Sequence, residues 1–265
     1  PPWALAGTLA LAWNPLVLYE TMGNGHNDII MVFWVLAAAW CAVGRRHTLA
    51  VLALVAGALI KIVPALLLPA LALVALRQME SRRTRLRFIL VAGAAGLALA
   101  ALAYLPFWRG PQALTFLQRK TLFTTSLPAV LYAWLKPRWG AGRAGPILGY
   151  AAWAATALFA LWQAHRARLD PSWLAFPRAA YNILLFHLLW ACPWFKEWYA
   201  IWPLGLAALI PSGQALAPAL LLAYAGQAHP LVLWPLWFGQ SVPAETVREL
   251  RLGLGVMALP WAYLA

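Results

Sequence analysis

Nine apolar runs, parted by short polar or glycine- and proline-bearing breaks, order this chain. They lie near residues 3–13, 28–43, 48–76, 88–106, 146–163, 172–190, 198–211, 215–226 and 250–265. The runs are continuous and lack the alternation that a lipid-facing strand needs, so each is read as helix. Several fall short of the about 20 residues of a vertical membrane span, which is tolerable where other helices or a wet cavity satisfy the backbone. The run 48–76 is longer than one span and is interrupted by Lys61-Ile-Val-Pro64. Pro64 frees the Ile60 carbonyl from its usual partner, which predicts a Pro-broken helical hairpin, with a single tilted rod as the alternative. The expected fold is all-α, a polytopic transmembrane bundle of roughly 8–10 membrane helices, forming one domain over 1–265.

Composition agrees with that pattern. Hydrophobic residues make up 64% of the 265 and charged residues 10%, against about 25% charged in soluble domains. The net charge of +13 raises the question of nucleic acid. The arginines, however, gather between apolar runs, at Arg45-Arg46, at Arg77 through Arg87, and at Arg166 and Arg168. That is the distribution of cytoplasmic loops, and it suits anionic lipid headgroups better than nucleic acid. Cys41 and Cys192 suggest neither a disulfide framework nor a metal cluster. No signal peptide is read at the start, which opens in an apolar stretch at Pro1. With the arginine loops inside and 48–76 a hairpin, parity puts the polar segments 14–28, 107–145 and 191–198 on one outer face. Their convergence on a common pocket is expected.

Four polar groups could carry chemistry. The first, Trp13-Asn-Pro-Leu-Val-Leu-Tyr-Glu20 through Gly-Asn-Gly-His-Asn-Asp28, packs Asn14, Glu20, Asn24, His26, Asn27 and Asp28 between apolar runs. Such groups are expensive near hydrocarbon unless they serve a purpose. Asp28 and Asn27 precede Ile29-Ile30, so helix capping competes with a role as base or sugar contact. Glu20 has no local capping role; a hydrogen bond to a neighbouring helix is its plainer use. The second is Lys61, which in so apolar a run must snorkel, pair with an acid or bind an anion such as a lipid phosphate. The third is the loop with Arg109, Arg119 and Lys120 and the hydroxyls Thr124-Thr-Ser126, suited to a phosphosugar headgroup or merely a solvated basic loop. The fourth is Lys196-Glu197-Trp198-Tyr199, an aromatic and charged rim whose plainer reading is an interfacial belt. No glycine-rich phosphate loop, zinc pair or nucleophile elbow is present, and no metal cage or cofactor is expected.

The ordered set Trp13-Asn-Pro…Glu20, Gly-Asn-Gly-His-Asn-Asp28, Lys61-Ile-Val-Pro64, Tyr104-Leu-Pro-Phe-Trp-Arg-Gly-Pro111 and Trp198-Tyr-Ala-Ile-Trp-Pro-Leu204 resembles the GT-C superfamily of membrane glycosyltransferases. The nearest likeness is to bacterial and archaeal polyprenol-phosphate-mannose-dependent mannosyltransferases. The resemblance implies a prokaryotic plasma-membrane, multi-pass enzyme with its site on the extracytoplasmic face. It implies inverting transfer of a sugar, mannose by likeness, from a polyprenyl-phosphate donor to a lipid or glycan acceptor. In such enzymes the base sits in the first outer loop, after the first membrane helix, so the primary base is expected upstream of Pro1. Asp28, Glu20 and His26 then contact donor or acceptor, with Glu20 or Asp28 the fallback base. Lys61, Arg109, Arg119 and Lys120 bind phosphate. Asn14, Asn24, Asn27, Lys196, Glu197, Trp198 and Tyr199 meet sugar or lipid. The alternative is a transporter or flippase of lipid-linked sugars, using the same polar rim without bond breaking; the absence of internal repeats speaks against it.

Overall fold

The computed structural model describes residues 2–110, 122–238 and 245–265. All the regular structure among them is helical. The α-helices are α1 (Pro2–Ala12), α2 (Pro15–Leu18), α3 (Asp28–Val43), α4 (His47–Ile60), α5 (Leu68–Arg77), α6 (Arg82–Tyr104), α7 (Leu127–Trp139), α8 (Ala141–Leu169), α9 (Ala175–Phe186), α10 (Ile201–Leu209), α11 (Gly213–Phe238) and α12 (Glu245–Leu264). Two π-helical turns, Tyr19–Gly23 and His187–Ala191, continue α2 and α9. Two helices are long and apolar enough to cross a membrane, Arg82–Phe107 and Ala141–Leu169, or three if a broken helix pair counts as one span. Leu86, Leu90, Leu97 and Leu102 on α6 are all exposed. A helix with that much bare apolar surface is at home in lipid. Most of the remaining apolar runs fold as shorter helices of 10–17 residues.

The chain forms two compact units. The first comprises Pro1–His26, Thr121–Phe159 and Tyr181–Ala265; the second comprises Asn27–Lys120 and Ala160–Ala180.

In the second unit, α3 and α4 pack as a hairpin. Met31, Val35, Ala38 and Ala42 form a buried stripe on α3, facing Ala50, Ala53, Leu54 and Gly57 on α4. Small residues let the two backbones approach; a Cβ on Gly57 would stand 3.3 Å from that of Trp34. α4 ends where Lys61 turns to an extended conformation (φ −144°, ψ 135°). A 3₁₀ turn, Val63–Leu67, with Pro64 in its first turn, leads into α5. α5 folds back along α4, so that Val51 packs with Ala75 and Leu76, and with Phe88 of α6. The Pro-broken hairpin is therefore the conformation adopted.

In the turn connecting α8 to α9, which this unit also contains in part, Asp170 builds the connecting turn. Its Oδ1 accepts from the Ser172 N–H at 2.8 Å, and its Oδ2 faces Arg178 at 3.5 Å. Partial burial works against the carboxylate, but the Ser172 bonds and the Arg178 charge outweigh it and hold its pKa below the usual aspartate value. A carboxyl depressed in the folded state stabilises above its unfolded pKa of about 4 and loses that contribution as pH falls through the lower folded value. Thermal unfolding between pH 6 and 3 should accordingly fall more steeply for the wild type than for Asp170→Asn.

In the first unit, α10 is the central helix, buried from Ile201 to Ala207. α1 lies against it so closely that a Cβ on Gly7 would collide with the Ala208 carbonyl. α7 occupies part of the segment expected to be an outer loop over 107–145. Ser126 caps it, accepting from the Ala129 N–H at 3.2 Å while donating to the Pro193 carbonyl at 2.8 Å. Thr124 pairs with the same strip through Thr124 N–H to Pro193 O (3.1 Å) and Phe195 N–H to Thr124 O (3.2 Å). The Ser126 hydroxyl is thus committed to this clasp, while Thr124 joins it through its backbone alone. Ser126→Ala should cost about 0.5–2 kcal/mol, from the lost cap and the lost hydroxyl bond to a Pro193 carbonyl that keeps the Thr124 N–H, readable as a lower midpoint in thermal denaturation.

Candidate functional site

Asn14 starts the local build of the site. Its Oδ1 accepts from the Leu16 N–H at 3.0 Å, and Pro15 at the first helical position completes the cap of α2. Its carboxamide oxygen therefore fixes the helix rather than facing sugar or lipid. α2 widens at once into the π turn Tyr19–Gly23, a form frequent at functional sites. That turn carries Glu20 inward, where the residue is only 5% exposed.

Glu20 organises its neighbours. Asn24 Nδ2 donates to Glu20 Oε2 at 2.9 Å, and the same oxygen lies 3.5 Å from His26 Nε2. The His26 N–H also donates to the Glu20 carbonyl at 2.9 Å. This loop closes because Gly25 takes φ +68°, which glycine adopts without steric cost. The imidazole stacks on Trp198, with centroids 3.6 Å apart and planes inclined by 22°. Lys196 Nζ stands 5.6 Å from the ring centres of both Trp194 and Trp198. Trp198 belongs to the 3₁₀ turn Glu197–Ala200, which α11 supports: Gly226 leaves room for the Glu197 backbone, 3.5 Å from where a Cβ would stand. Tyr199 meets Trp198 edge-on and stacks on Trp202 at 4.3 Å.

This is a carboxylate–imidazole pair in which the carboxylate is buried and the histidine is the more accessible partner (6% and 29% of side-chain surface). With Nε2 turned to Glu20, Nδ1 is the nitrogen left to exchange a proton. A buried acid that orients an imidazole and stabilises its cation is a recurrent arrangement for general-base work.

In the second unit, Asn27 occupies the N-cap position of α3 without a side-chain cap bond. Asp28 is the first helical residue and has no exposed surface. Lys61 Nζ donates to both of its oxygens, at 2.8 and 2.7 Å. Of the three uses open to Lys61, pairing with an acid is thus present; Asp28 keeps its place as the acid in the first turn of α3 and adds an ion pair joining α3 to the end of α4. Arg109 is exposed in this unit. Arg119 and Lys120 lie outside the described residues.

One polar contact has no counterpart in the sequence reading. His187, in the second π turn, is 4% exposed, and its Nδ1 lies 3.0 Å from Thr156 Oγ1. That hydroxyl also lies 2.9 Å from the Ala152 carbonyl, to which it can donate. The available signal was a histidine isolated in an apolar run. Among the described residues, no three His, Cys, Asp or Glu side chains gather as they would around a metal ion.

Residues 3–77, from α1 through α5, match the model of the MptA_B family, described as alpha-(1->6)-mannopyranosyltransferase, N-terminal domain. The match is consistent with a mannosyltransferase of the GT-C type and takes in Glu20, Asn24, His26, Asp28 and Lys61. No curated protein and no solved structure matches the chain.

Proposed function

We propose that the protein transfers mannose from a polyprenyl-phosphate donor to a lipid or glycan hydroxyl on the extracytoplasmic face of a prokaryotic plasma membrane. The observation that carries this reading is the Glu20–His26 pair stacked on Trp198, formed by residues 20–26 of a stretch that matches a mannosyltransferase domain. In the reaction the acceptor oxygen attacks the anomeric carbon as the bond from that carbon to the phosphate oxygen breaks. The acceptor proton passes to His26 Nδ1, while Glu20 balances the imidazolium. The phosphate leaves on the lipid with two negative charges, and Lys196, whose Nζ lies 5.6 Å from the Trp198 ring on which His26 stacks, is the cation proposed to meet them. Attack from the side opposite the phosphate inverts the configuration. Asp28, clamped by Lys61, serves the fold rather than the proton transfer.

The test offers the intact protein, in detergent, either polyprenyl-phosphate mannose or a nucleotide-linked mannose. Transfer from the lipid-linked donor alone supports the reading. Transfer from the nucleotide sugar overturns the lipid-linked donor, and donor binding with no new glycosidic bond under any acceptor overturns transfer itself and favours the transporter.

A further inference from the structure

Ten arginines of the second unit play no part in the proposed chemistry. They come from the Arg45-Arg46 turn, the Arg77–Arg87 stretch and the Arg166–Arg178 stretch. Three contacts bring these stretches to one end of the unit. His47, opening α4, meets Phe88 of α6 edge-on at 6.1 Å. Val51 of α4 packs with Ala75 and Leu76 near the end of α5. Arg77 then donates to the carbonyl of Asp170, whose carboxylate faces Arg178.

All ten arginines are exposed, and only Glu80 and Asp170 lie among them as acids. Such an excess of one charge is self-repelling in water and needs an anionic partner. The surroundings identify its kind. Arg46 stands 5.8 Å over the Trp40 ring and Arg166 stands 5.2 Å over Trp162, and both tryptophans are themselves exposed. Just past the arginines on α6, Ile89 and Leu90 are bare, as is Leu86 between Arg85 and Arg87. Cation, then indole, then aliphatic surface is the order in which phosphate, headgroup boundary and hydrocarbon succeed each other in a bilayer.

We infer that this arginine-rich end of the second unit is a docking surface for anionic phospholipid headgroups, preferring phosphatidylglycerol-type lipid to zwitterionic lipid. The preference is independent of whether the first unit transfers a sugar.

The test is native mass spectrometry of the intact protein released from micelles doped with equal phosphatidylglycerol and phosphatidylcholine. Phosphatidylglycerol should dominate the retained lipid, and the quadruple variant Arg82→Gln/Arg83→Gln/Arg85→Gln/Arg87→Gln should lower that preference at least about tenfold. Arg143→Gln, exposed in the first unit, should leave it unchanged. Circular dichroism confirms that the quadruple variant, altered only at exposed positions, is folded. Equal retention of the two lipids overturns the inference. So does a preference untouched by the quadruple variant, or one abolished by millimolar inorganic phosphate, which would mark a site for free anions.

Discussion

Lys61→Met should lower stability by about 3–5 kcal/mol, because it strands a buried carboxylate without its cation. Asp28 has no exposed surface, and both of its oxygens accept from Lys61. The methionine stem replaces the apolar part of the lysine, so packing changes little and the charge carries the loss. The double variant Asp28→Asn/Lys61→Met should recover most of the stability, since exchanging both members of a buried pair is often near neutral. Chemical denaturation of the wild type, Lys61→Met, Asp28→Asn and the double variant in one detergent gives the cycle. A loss below 1 kcal/mol for the single variant, or no recovery in the double, would remove the ion pair as the tie between α3 and α4.

Glu20→Gln should reduce mannosyl transfer by about 10²–10⁴-fold, because His26 then lacks the carboxylate that balances its cation and much of the contribution of a positioned general base is lost. Gln keeps the shape, and its oxygen can still accept from Asn24, so the fold should survive. What it cannot do is balance an imidazolium. The fall should therefore appear mainly in kcat, with KM for the lipid-linked donor nearly unchanged, because the pair acts as charge develops and not on ground-state binding. Trp198→Ala should show a mixed effect, through loss of the surface that holds the His26 ring. A Glu20→Gln protein of wild-type kcat would leave the pair a structural feature of the π turn.

Much of the fold was legible in the sequence because it rests on local chemistry. α3 begins at Asp28 and ends at Val43, as the apolar run does, since Asn27-Asp28 is a start signal and Gly44 a stop. The break after Ile60 followed from Pro64. α7 was missed because Lys136, Pro137 and Arg138 dilute its hydrophobicity, although Ser126-Leu127-Pro128 carries a cap and an early proline.

The candidate site was legible as a list and not as an arrangement. Glu20, Asn24 and His26 are close in sequence, but the stacking of His26 on Trp198 joins segments with no periodicity to link them. Asn14 looked available for a ligand because an N-cap is recognisable only when a helix is known to follow, and four-residue α2 is too short for a pattern to reveal. Pairing with an acid was one of three uses open to Lys61, and the α3–α4 hairpin, which sets the start of α3 beside the end of α4, made Asp28 its partner.

Photocrosslinking is the most direct measurement of the central claim, that Glu20, His26 and Trp198 handle the transferred sugar. A polyprenyl-phosphate mannose bearing a diazirine on the sugar would be activated on the intact protein, and the adducts mapped by mass spectrometry. Labels concentrated on residues 19–26 and 194–199, and suppressed by unmodified donor, are the expected result. Competable labels that spare both segments would contradict it.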